Sequence, residues 1–127
     1  MLPVYRTTLV AIGGLTGSVA RYWMTVWVQS LTGDTFPYGT LSVNVLGSFI
    51  LGLAMTLSLE RFLISAEVRL LLGAGVCGGF TTMSAFSYES VALLQDGSAS
   101  AALANVALTL AACLSAVWLG ILAGRLF

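Results

Sequence analysis

The chain has 127 residues, with five arginines and no lysine, five acidic residues, no histidine and a formal net charge of zero. Charged residues make up 8% of it and hydrophobic ones 58%, where a soluble domain carries about 25% charge, so most water-soluble folds are excluded. No basic stripe is available for nucleic acid, no imidazole for acid–base or metal chemistry, and Cys77 and Cys113 are too far apart in sequence for a CxxC site.

In chain order, the gaps between charges outline four apolar segments. Arg21 is the only charge between Arg6 and Asp34, and residues 39–59 carry none. Residues 70–88 and 97–124 are also uncharged, each near or above the ~20 residues of a spanning helix. The pattern predicts one all-α membrane domain over 1–127, with helices at about 5–31, 39–59, 67–94 and 98–125. Ser18-Val19-Ala20 resembles a signal-cleavage site, but apolar and aromatic residues continue to Val28, so the first segment is read as retained. Four arginines fall on the terminal side and none in the Asp34 and Asp96 loops. That count places the termini in the cytoplasm.

Helix one holds small pairs, Gly13/Gly17 and Gly14/Ser18, and helix four holds Gly120/Gly124. Such pairs serve packing within a subunit or contact between subunits. In helix two, Thr40, Asn44 and Ser48 recur every four residues, putting hydroxyl, amide and hydroxyl on one face. This stripe either binds a neighbouring helix or lines a polar path.

Helix three contains Gly73, Gly75, Gly78 and Gly79, followed by Phe80-Thr81-Thr82-Met83-Ser84-Ala85-Phe86-Ser87. Glycine costs about 1 kcal/mol relative to alanine within a helix, and Thr and Ser redirect backbone hydrogen bonds. A break near 78–82 is expected, serving either a close helix crossing or an ion site whose freed carbonyls face protein or water. Beyond it, Met83, Ser84, Phe86 and Ser87 form a neutral wall. Hydroxyls, the Asn44 amide and the positive edge of a phenyl ring suit an anion.

Gly39-Thr40-Leu41 with Val43-Asn44, Gly78-Gly79-Phe80-Thr81-Thr82 with Ser84, Phe86-Ser87 and Glu89, and Gly17-Ser18-Val19-Ala20-Arg21 together resemble the Fluc (CrcB) fluoride channel family across essentially the whole chain. The resemblance implies a passive fluoride channel, not an enzyme. It further implies an antiparallel, dual-topology homodimer in the bacterial inner membrane, at odds with the one-sided arginine count. A structural sodium ion at the dimer centre would be held by the backbone carbonyls of Gly78 and Thr81. The implied fluoride pore uses Asn44 as donor and Phe86 as ring edge, with Thr40 and Ser84 adding hydroxyls. Met83 stands where the family has a second phenylalanine, and Ala85 where it has a threonine; both departures bear on selectivity. Glu89 and Arg21 match family positions and are read as vestibule or structural polar groups. A drug–proton exporter is disfavoured because the first span has no acid, and a non-transporting scaffold would use the same polar groups only to join helices.

Overall fold

The computed structural model describes residues 3–127, and its spans are helical except at Thr81 and Thr82. Helix α1 covers Val4–Thr32 and α2 covers Tyr38–Leu59. The third span runs Ala66–Gln95 and divides into α3 (66–80) and α4 (Met83–Gln95). Helix α5, Ala99–Gly124, closes the bundle. Three spans, Tyr38–Leu59, Ala66–Gln95 and Ala99–Gly124, are long and apolar enough to cross a membrane. At 29 residues α1 is about 44 Å long, ample for a ~30 Å hydrocarbon core. Arg6, Arg21, Gln29 and its threonines dilute its hydropathy.

The third span is bent in two ways. Leu71–Cys77 is wound as a π-helix, so the Gly78 amide reaches back to Gly73 O. The wider turn brings Gly75 against α1, where a Cβ on Gly13 would lie 2.8 Å from Gly75 Cα. Thr81 (φ −87°, ψ 157°) and Thr82 (φ −150°, ψ 112°) then run extended. Thr82 restarts the helix as α4 by accepting the Ala85 amide at 3.1 Å on its hydroxyl, an ordinary N-cap. The Gly/Thr pattern thus produces a bent third helix, with the π-turn as an element that composition does not signal.

Small residues pack the bundle internally. A Cβ on Gly17 would sit 2.1 Å from Val76 O, and one on Gly120 2.2 Å from Phe49 O. These approaches tie α1 to α3 and α5 to α2. Gly14 differs, since its nearest such neighbour is Gly75 O at 4.0 Å. At the far ends of α2 and α5, Arg125 Nε donates to Glu60 at 2.9 Å, and Arg61 donates to the Phe127 carbonyl.

Candidate functional site

The break is held by a side chain on another helix. Asn44 Oδ1 accepts from the Thr82 amide at 2.7 Å, and Asn44 Nδ2 donates to the Thr82 carbonyl at 3.1 Å. In a continuous helix the Thr82 amide would go to Gly78 and the Ala85 amide to Thr81. Here the first goes to Asn44 and the second to Thr82 Oγ1. The carbonyls of Gly78 and Thr81 therefore lose their ordinary donors. Arg21 Nε donates to the neighbouring Gly79 carbonyl at 2.9 Å, so this cation inside α1 is engaged with the break.

Around the break lies a cavity of about 400 Å³ lined by Asn44, Ser48, Gly78, Thr81, Met83, Phe86 and Thr109, among others. Asn44 and Phe86 are buried, whereas Met83 is 68% exposed on the open side. Asn44 Nδ2 has a second proton not used on Thr82, which leaves one donor for the cavity. The wall is mainly apolar, with Leu51, Leu110, Leu114 and Val117 beside the hydroxyls, amide, ring and thioether, and it carries no charge.

Two of the residues that the sequence suggests for the path do not line this cavity. Ser84 is exposed and sits 3.2 Å from the Thr82 hydroxyl, off the cavity lining. Thr40 is on a second cavity of about 380 Å³, with Gln29, Asp34, Glu89 and Asp96. There its hydroxyl donates to Glu89 Oε1 at 2.5 Å, joining α2 to α4. Asn44 and Thr40 share a helix face, but they serve two cavities.

Gln29 is a residue that the motif pattern does not single out. Its Nε2 donates to the Gly33 and Phe36 carbonyls, and its Oε1 accepts from the Gly39 amide at 3.1 Å. It closes the α1–α2 connection and so sets where α2, with Thr40 and Asn44, begins. Ser90 and Asn105 form another buried polar pair between α4 and α5. Among the described residues every buried side-chain nitrogen and oxygen has a hydrogen-bond partner.

Long apolar helices around an uncharged cavity with a few polar groups at a broken helix fit a multi-pass membrane protein of the ion-conducting class. Residues 8–121 match the family model described as CrcB-like protein, Camphor Resistance (CrcB), and the chain belongs to this family. It is 49% identical over 121 residues to the fluoride-specific ion channel FluC of Geobacter sulfurreducens, covering 94% of this chain and 98% of the relative. The protein of the same name from Geobacter metallireducens is 48% identical over 120 residues, covering 93% and 97%. That of Thermus thermophilus is 55% identical over 100 residues, covering 79% and 78%.

Proposed function

We propose that the chain is a fluoride-selective channel that lets cytoplasmic fluoride leave the cell by passive electrodiffusion. The observation carrying this reading is the cavity at the α3–α4 break, lined by Asn44 and Phe86, in a chain nearly coextensive with a fluoride-specific channel. Fluoride is small and strongly hydrated. The spare Asn44 proton and the edge of the Phe86 ring present partial positive charge to it without the full charge that would trap it. Hydrogen fluoride enters cells neutral and dissociates in a less acidic cytoplasm. A negative-inside potential then drives the anion out, with about 2.3 kcal/mol per charge per 100 mV.

The functional unit in this reading is an antiparallel homodimer of dual topology in a bacterial inner membrane, surrounded by lipid. Support comes from the exposure of Gly78 and Met83 on the open side of the cavity, where a second copy would complete the wall. A sodium ion fits the carbonyl oxygens of Gly78 and Thr81, which are hard donors released by the break. Bound there, it would supply positive charge near the anion path and tie the breaks of the two subunits together. Arg21 would keep the adjoining Gly79 carbonyl occupied.

Purified protein in liposomes tests the transport reading: voltage-driven fluoride efflux that needs no proton gradient is the expected result. Tight vesicles, despite folded protein, would favour a scaffold role. Labels at both termini, probed from each side of the membrane, test the topology; equal labelling is expected, and one-sided labelling would exclude the antiparallel dimer.

A further inference from the structure

We propose that Asn105 is a positioning residue for the anion path. Buried behind the cavity wall, it holds two wall residues, Phe86 and Thr109, through opposite ends of one side-chain amide. This rests on the channel reading above.

Asn105 is 2% exposed on α5 and does not line the cavity, whereas Phe86 and Thr109 do. Its Nδ2 donates to Ser90 Oγ at 2.9 Å, and Ser90 Oγ donates to the Phe86 carbonyl at 2.8 Å. On the other side, its Oδ1 accepts from Thr109 Oγ1 at 3.4 Å. These bonds permit one proton arrangement. The Ser90 proton is committed to Phe86, so Ser90 must accept from Asn105, which requires Nδ2 on that side and Oδ1 toward Thr109. Thr109 then spends its only proton on Asn105.

An amide is suited to this place because it donates and accepts at once. An apolar side chain there would take the acceptor from the Thr109 hydroxyl and the donor from the Ser90 oxygen, and untie the α4 turn bearing Phe86 from α5. A site formed between two helices keeps its geometry only if the supporting shell fixes them within about 0.5 Å. The Phe86 ring is the part of the wall most sensitive to rotation of α4, because its edge and its face carry opposite partial charge.

The test compares wild type, Asn105→Leu, Ser90→Ala and the double variant in liposomes, reading the ratio of fluoride to chloride efflux. Asn105→Leu should lower that ratio about tenfold. Ser90→Ala, which cuts only the Phe86 link, should reproduce most of the loss, and the double variant should be no worse than Asn105→Leu. An unchanged ratio in both single variants, or losses that multiply in the double, overturns the proposal. Fluorine NMR of 4-fluorophenylalanine-labelled protein gives a readout independent of transport, with the Phe86 signal identified by its loss in Phe86→Leu. That signal should shift in Ser90→Ala, which removes a single oxygen and keeps the fold within reach if Asn105→Leu does not fold. A Phe86 signal that stays in place overturns the positioning role even if the wild type conducts fluoride; a shifted signal in a protein that conducts none leaves the positioning intact and refutes the channel reading.

Discussion

Asn44 and Thr82 pair through both polar atoms of the asparagine amide, at 2.7 and 3.1 Å, so a side chain from another helix supplies the acceptor that the Thr82 amide gives up at the break. The same amide borders the cavity. On the proposed channel reading its structural and conducting roles are coupled, because the side chain that borders the path also holds the Thr82 backbone of the break.

Replacing Asn44 by leucine tests this coupling. Both bonds to Thr82 are lost, and the Thr82 amide, which has no acceptor within the broken helix, is left unsatisfied beside the cavity, at about 1–3 kcal/mol for a buried unsatisfied group. We expect a lower thermal midpoint in detergent and fluoride efflux reduced at least tenfold. Wild-type stability in Asn44→Leu would show that Thr82 finds another partner.

Two glycines one turn apart should respond differently to a methyl group. Gly17→Ala puts a Cβ 2.1 Å from Val76 O, whereas Gly14→Ala meets nothing closer than 4.0 Å. Overpacking of the first kind costs about 1–3 kcal/mol, so Gly17→Ala should unfold at distinctly lower temperature than Gly14→Ala. Equal midpoints would contradict the observed α1–α3 packing.

How far the sequence reveals such detail depends on the range of the interaction. Charge-free segments follow from the cost of charge in a membrane, so the four spans are legible, and glycine and threonine at 78–82 announce the bend. Gly14 and Gly17 look alike in sequence because each begins or ends a small-residue pair; only the approach of Val76 separates them. The π-turn at Leu71–Cys77 has no compositional mark, since it answers to Gly75 meeting Gly13 across the bundle. Similarly, the period of four that aligns Thr40 with Asn44 is local, while the partners that divide them, Glu89 and Thr82, lie 49 and 38 residues away.

Met83→Phe tests the wall on its open side. The thioether is an acceptor beside weakly polarised hydrogens, whereas a phenyl ring offers a positive edge. Fluoride-over-chloride selectivity should rise several-fold, with the packing inside one subunit unchanged because Met83 is 68% exposed there. An unchanged ratio would place the selective step elsewhere.

Outside the spans, hydrogen bonding from Arg125 holds the Glu60 carboxyl below its ordinary range. A carboxyl depressed in the folded state stabilises at pH above its unfolded value and loses that contribution as pH falls through the folded one. Any stability gap between wild type and Glu60→Gln should therefore be present at neutral pH, begin to shrink as pH drops below about 4, and close only below the folded value. Salt should shrink it, because the pair is exposed. A gap that widens on acidification would contradict the pairing.

The central claim is that an uncharged cavity at a helix break conducts fluoride selectively. Its most direct test is anion efflux from liposomes holding purified protein, with potassium and valinomycin setting the voltage and no proton gradient imposed. The account predicts rapid, voltage-driven loss of fluoride and little loss of chloride. Equal release of both anions, or fluoride release only with an imposed proton gradient, would contradict it.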